Sequence, residues 1–186
     1  MAIISVLMPC YKAANTLPEA LASLSNQILP NFEVIAVDDG STDATPHILQ
    51  EWAARDKRLL VLSRPHEGLI TALKAGLETC NSPYVARMDA DDWSHPERLY
   101  RQVAYLEAQP EVSVLGCRVE GFPEGQARQG FQVYLDWLNS LLCDEDICRE
   151  MSVEGHLPHP GVTLSRQVIV EVGGYQQCVW AEDREA

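Results

Sequence analysis

Residues 32–46 read FEVIAVDDGSTDATP. An apolar run, Phe32–Val37, stops at Asp38-Asp39-Gly40, and Thr45-Pro46 opens the next segment. A short apolar run bounded by turn residues reads as a strand buried on both faces. Threonine before proline reads as an N-cap followed by proline at the first helical position. The stretch is therefore strand, turn and helix, with Ile48, Leu49 and Trp52 facing inward.

The same unit recurs on both sides. Upstream, Ile3–Met8 is a strand ended by Pro9. Thr16 to Glu19 fits a capping box, ahead of a helical face of Leu17, Leu21, Leu24 and Ile28. Downstream, strands are expected at Leu59–Leu62, Tyr84–Met88 and Val112–Leu115. Helices lie between them, one carrying Leu69, Leu73 and Leu77, the other Leu99, Val103 and Leu106 behind a second capping box, Ser94 to Glu97. Strands alternating with helices predict an α/β fold with a Rossmann-like, mostly parallel central sheet and helices on both faces. Ligands of such sheets bind beyond the carboxyl ends of the strands. Pro9-Cys10-Tyr11, Asp38-Asp39-Gly40-Ser41 and Asp89-Ala90-Asp91-Asp92 fall at those ends and should meet at one rim. Past residue 120 the pattern weakens. Gly121–Gly130 reads as a loop, and Phe131–Cys143 has helical spacing through Val133, Leu135, Leu138 and Leu142. Asp144-Glu145-Asp146 is a helix start or solvated turn, Val162–Leu164 a short strand, and Gly173-Gly174-Tyr175 a turn.

The chain has 186 residues, 46% of them apolar, which suits one globular domain and excludes disordered or fibrous classes. With 27 acids against 14 Lys and Arg, the formal charge is −13, which argues against nucleic acid as a partner. A phosphorylated ligand would need a cation or local backbone donors to offset that charge. The six cysteines form no Cys-x-x-Cys pair and no zinc spacing, so they read as reduced thiols of a cytoplasmic protein. No run approaches the ~18 apolar residues of a membrane span.

Three carboxylates in four residues, Asp89, Asp91 and Asp92, repel one another unless solvated, protonated or neutralised by a cation. Hard oxygen ligands suit Mg²⁺ or Mn²⁺. A solvated acidic helix start is the alternative, though one carboxylate would suffice for that. Asp39 could accept hydrogen bonds from a base or a ribose, or simply serve a strand-to-helix turn. His156 and His159 are separated and followed by prolines, Pro158 and Pro160, which disfavours a helical zinc pair. Lys12, Arg64, Lys74 and Arg87 are the basic residues near the expected rim, and the four tryptophans default to the core. Glu182-Asp183 alone reads as solvated tail. No Gly-x-Gly-x-x-Gly follows the first strand, which disfavours a dinucleotide oxidoreductase. The acid pairs follow strands two and four, and Gly116-Cys117-Arg118 follows the fifth, which disfavours a receiver domain.

The motifs taken in order resemble the inverting glycosyltransferases of family 2, with the GT-A fold. They are Pro9-Cys10-Tyr11, Val37–Asp43, Asp89–Asp92 with Pro96-Glu97-Arg98-Leu99, His159-Pro160 with Arg166 and Val172–Tyr175, and Glu182-Asp183. The resemblance runs from Ile4 to Asp183, with Lys12 where asparagine is common. It implies that Pro9, Tyr11 and Asp39 line the nucleotide's base. Asp89 would serve the nucleotide, and Asp91 and Asp92 the Mn²⁺ or Mg²⁺, in a division that varies within the family. Asp183 would be the catalytic base, and Glu182, His159 and Trp180 further substrate contacts. It implies transfer from a nucleotide-sugar donor, a UDP-sugar by prior, to a glycan or lipid-linked acceptor. It also implies a cytoplasmic place, with peripheral association at the inner membrane face as a further option. Residues 1–118 would form the nucleotide-sugar half and 119–186 an acceptor-side half that is short at its C-terminus. The competing expectation is a nucleotide-sugar-binding fragment without catalysis.

Overall fold

Seven consecutive buried residues, Ile4–Cys10, form strand β1 at the centre of the sheet. In this computed structural model, which describes residues 2–121, 129–150 and 157–176, β1 lies between two parallel neighbours. They are β2 (Phe32–Asp39) and β4 (Tyr84–Arg87), and β3 (Leu59–Arg64) extends the parallel set beyond β2. With parallel neighbours on both edges and helices over both faces, β1 has no solvent side, which is why its sequence is a continuous apolar run.

Helices cover both faces, as expected. Leu17, Leu21 and Leu24 of α1 (Leu17–Ser25), Leu49 of α2 (Thr45–Arg55), and Leu99 and Val103 of α4 (Arg98–Ala108) pack on one face against Ile4, Val6 and Met8. On the other face, Ala72, Leu73 and Leu77 of α3 (Leu69–Thr79) pack against Leu7, Ile35 and Val37. Each such leucine contributes roughly 1.5–3 kcal/mol by leaving water.

The sheet has six strands in the order β3-β2-β1-β4-β6-β5. The expected fifth strand does not pair with β4. It shrinks to Val114–Leu115 (β5), and β6 (Thr163–Ser165) inserts antiparallel between the two. Val114 is exposed and Thr163 buried, so the later strand takes the inner place.

The remaining departures have local causes. Helix α1 stops at Ser25, which leaves Ile28 exposed and buries Gln27 instead. None of the three expected caps forms. The Thr16 hydroxyl donates to the Ala13 carbonyl (3.3 Å). Ala44, not Thr45, precedes α2, and α4 starts only at Arg98 because Ser94 is engaged by α1. Leu69 is half exposed at the start of α3. Helix α5 (Gln129–Leu138) buries Leu135 and Leu138. Val133 stands two residues, about 200°, from Leu135 and faces solvent, and Leu142 lies past the helix end. Helix α6 (Asp144–Glu150) does begin on the three acids, and α7 (Arg166–Glu171) ends at the Gly173-Gly174 turn. No described tryptophan is fully buried: Trp52 and Trp137 are half-buried and Trp93 is exposed. The described cysteines are free thiols. Among the described residues no helix is long and apolar enough to cross a membrane.

Candidate functional site

The chain runs from β1 outward to β3, then returns to the other side of β1 with β4. At such a switch point the loops leaving neighbouring strands part in opposite directions and open a crevice. A cavity of about 490 Å³ occupies that place. Pro9, Tyr11, Asp39, Asp89 and Asp91 all line it, so the three rim clusters do meet.

Cap-type residues between Ser41 and Thr45 work across this rim. The Ser41 hydroxyl accepts from the Lys12 amide (2.9 Å), the Asp43 carboxylate from Ala14 (3.2 Å) and the Thr45 hydroxyl from Ala13 (2.8 Å). The loop after β1 is thereby held to the loop after β2, with Lys12 at φ +49°.

Asp39 is 4% exposed. One oxygen accepts from the Glu67 amide (2.9 Å), the other from the Gly68 amide (3.0 Å) and His66 Nδ1 (2.8 Å). A carboxylate offers about four acceptor positions, so roughly one is left for a ligand. Gly40, at φ +70°, lets this turn approach: a β-carbon there would sit 2.6 Å from the His66 nitrogen. The His66 ring stacks on Tyr11 at 4.0 Å and 10°. His66 and Leu69 also line the cavity, and sequence reasoning missed both. They come after β3, so the rule that drew attention to the ends of the other parallel strands applies equally to Arg64-Pro65-His66-Glu67-Gly68.

One oxygen from each of Asp89, Asp91 and Asp92 can gather within 4.8 Å, a separation one divalent cation can bridge. Burial, and after it the charges of Asp89 and Asp91, pushes the Asp92 carboxyl up to about 6. Its Oδ2 is buried with no hydrogen-bond partner among the described residues. Hard oxygen donors with an unsatisfied buried oxygen fit a Mg²⁺ or Mn²⁺ ion. The segment just beyond is clamped to the turn that follows α1. Gln27 Nε2 donates to the His95 carbonyl (2.7 Å), and Gln27 Oε1 accepts from the Leu99 amide (3.1 Å).

Of the four basic residues expected near the rim, only Lys12 lines the cavity. Arg64 pairs with Glu67 (3.2 Å), Lys74 is exposed on α3, and Arg87 is buried beneath the rim. His159 begins a short turn (His159–Gly161) ahead of β6. It meets Tyr175 edge-on at 6.0 Å and is not among the cavity residues. His156, Trp180, Glu182 and Asp183 lie outside the described residues.

The profile of Glycosyl transferase family 2 matches residues 5–173. An uncharacterized glycosyltransferase of Haemophilus influenzae is 35% identical, over 80% of this chain and 47% of its own length. The amylovoran biosynthesis glycosyltransferase AmsE of Erwinia amylovora is 33% identical, over 96% of this chain and 66% of its own. Crystal structures of S. aureus TarS 1-349 share the fold. The one in complex with UDP-GlcNAc has a TM-score of 0.74 at 23% identity, covering 95% of this chain and 49% of TarS 1-349. The mannosyltransferase PcManGT of Pyrobaculum calidifontis, solved with GDP-Man and Mn²⁺, has a TM-score of 0.69 at 22% identity, covering 92% of this chain and 47% of that one. The chain thus spans about half the length of several proteins it matches. With a mostly parallel GT-A sheet and the profile running through nearly all of it, the chain belongs to glycosyl transferase family 2.

Proposed function

We propose that this chain is the donor-binding core of an inverting, metal-dependent glycosyltransferase. It would move a sugar from a nucleotide-diphosphate sugar, a UDP-sugar first, to a glycan or lipid-linked acceptor in cell-surface polysaccharide synthesis. The observation that carries this reading is one cavity lined by Tyr11 and Asp39 at one end of the rim and by Asp89 and Asp91 at the other. AmsE's name and the UDP-GlcNAc and GDP-Man complexes of the structural relatives support the donor class and the setting.

In this reading the Tyr11–His66 stack and Pro9 form the wall against which the base lies. The remaining acceptor position on Asp39 takes an N–H from the base. Asp89 holds the ribose side, and Asp91 and Asp92 hold the cation. Mn²⁺ or Mg²⁺ bound there would stabilise charge developing on the departing nucleoside diphosphate, as a Lewis acid does. Asp183 would take the proton from the acceptor hydroxyl as that oxygen attacks the anomeric carbon from the face opposite the leaving group. One displacement of this kind inverts the configuration and needs no protein nucleophile. Glu182, His159 and Trp180 would contact the substrates.

Calorimetric titration of UDP and GDP with and without Mn²⁺ tests the site. Binding that strengthens with Mn²⁺, and loses that gain in Asp91→Ala, is expected; unchanged Mn²⁺ dependence in Asp91→Ala removes the metal role. The competing reading is nucleotide-sugar binding without transfer. Sugar transfer or donor hydrolysis by these 186 residues rules that out. If they turn over, Asp183→Asn should abolish turnover and spare donor binding.

A further inference from the structure

Arg87 is the last residue of β4, two positions ahead of Asp89, and is 2% exposed. Its Nη2 meets Asp89 Oδ1 at 2.5 Å. Its Nε and Nη1 are buried and have no hydrogen-bond partner among the described residues. A guanidinium in the interior costs several kcal/mol of lost hydration, and one carboxylate 34% open to solvent offsets little of that. Packing gives no reason for the charge. The β4 side chains alternate, so Arg87 shares the face of Val85, which packs with Leu7 and Ile35. A methionine of similar reach would fill that place without a desolvation cost.

The backbone under Arg87 is held from several sides. Its amide donates to the Val162 carbonyl (2.8 Å), and its carbonyl accepts from Arg98 Nη2 (2.8 Å). Arg98 Nε donates to Gln102 Oε1 (3.1 Å), and Gln102 Nε2 in turn donates to the Gly161 carbonyl (3.0 Å). The guanidinium therefore starts from a fixed point, and what it fixes is Asp89. The three carboxylates are unlike in this respect: Asp89 carries an ion pair, whereas no ion pair involves Asp91 or Asp92 among the described residues.

We propose that Arg87 is a positioning residue: its buried guanidinium clamps Asp89 in one orientation towards the nucleotide, while Asp91 and Asp92 stay free to close on the cation. This rests on the reading of the cavity as a nucleotide-diphosphate site. Groups that orient a site's primary ligands without touching the bound molecule typically cost 10–100-fold in affinity when removed.

A double-mutant cycle with UDP as probe, in the presence of Mn²⁺, tests the clamp. Arg87→Met should weaken UDP by roughly 10–100-fold without lowering the melting temperature, because an apolar side chain replaces a poorly satisfied buried charge. Asp89→Asn should weaken it comparably, and the double variant should bind no more weakly than Asp89→Asn alone. Additive losses, or wild-type affinity in Arg87→Met, would overturn the proposal. Should Arg87→Met not fold, Arg87→Gln carries the same cycle with the same outcomes. A wild-type chain that binds neither UDP nor GDP with Mn²⁺ overturns the reading of the cavity and the clamp with it. A wild-type chain that binds normally while the cycle is additive overturns the clamp alone.

Discussion

The two halves of the molecule treat their apolar residues differently. Up to residue 106, β1 is buried along its whole length, and α1, α3 and α4 seat Leu17, Leu21, Leu24, Leu73, Leu77 and Leu99 on the sheet. After residue 128, Phe131, Val133 and Leu142 lie half or more exposed, and α6 buries nothing. The lesson concerns where a site can be precise. Asp39 and Asp89, which line the cavity, extend from buried strands with neighbours on both edges. In the later part α5 buries Leu135 and Leu138 and α7 buries Ile169, while apolar surface stays uncovered.

Thiol chemistry should show the widest gap between the halves. Cys10 is pushed up to about 12, by burial first and then by Asp38 and Asp89, and Cys80 is pushed up to about 11, again chiefly by burial. Cys143 and Cys148 are exposed. An aromatic disulfide reagent at pH 8 should label Cys143 and Cys148 at once and the first two only as the domain opens, roughly 10³-fold or more slower. Comparable rates at Cys10 would mean that the strand carrying Pro9 is not a fixed floor.

Truncation comes next. Leu7→Ala should cost about 2–5 kcal/mol in urea unfolding, and Leu142→Ala no more than ~0.5 kcal/mol. Equal costs would erase the contrast. Glycine gives the same comparison with opposite signs. In Gly76→Ala the new β-carbon would stand 2.1 Å from Leu7 Cδ1, so α3 must shift at a cost of about 1–3 kcal/mol. In Gly130→Ala no described residue lies within 4 Å, and with Gly130 in the first turn of α5 the helix should gain up to about 0.5 kcal/mol. Melting temperatures of the two variants should move in opposite directions.

Much of the first half is legible because period and punctuation agree there. The apolar runs of β1 and β2 are long enough to be unmistakable, and each acidic cluster stands where its run stops. Two of the misreadings share one cause, a side chain engaged by a distant partner. Thr45 looks like a cap but serves Ala13, and Ser94 looks like a cap but receives Gln27. Gln27 itself carries no sequence signal for burial, since its partners other than the Ser23 carbonyl lie 67 residues away or more. β6 is hard to place because three residues hold too little pattern to indicate a neighbour. Arg87 looks like a rim cation because charge is expected near solvent, and only the fold shows it turned under the carboxylates.

The insertion of β6 between β4 and β5 also bears on how the chain acquires its shape. β4 pairs with β1, some 80 residues earlier, and with β6, nearly 80 residues later. Contacts of such sequence separation slow folding, because loop closure must precede any reward. During synthesis, at about 5–20 residues per second, the outer edge of the strand leading into the three carboxylates stays unpaired for several seconds until Ser165 emerges. A nascent chain paused before that point exposes an apolar strand edge, the kind that neighbouring chains recruit. The strand that leads into the three carboxylates is thus among the last to be enclosed, and stays open to misassembly until then.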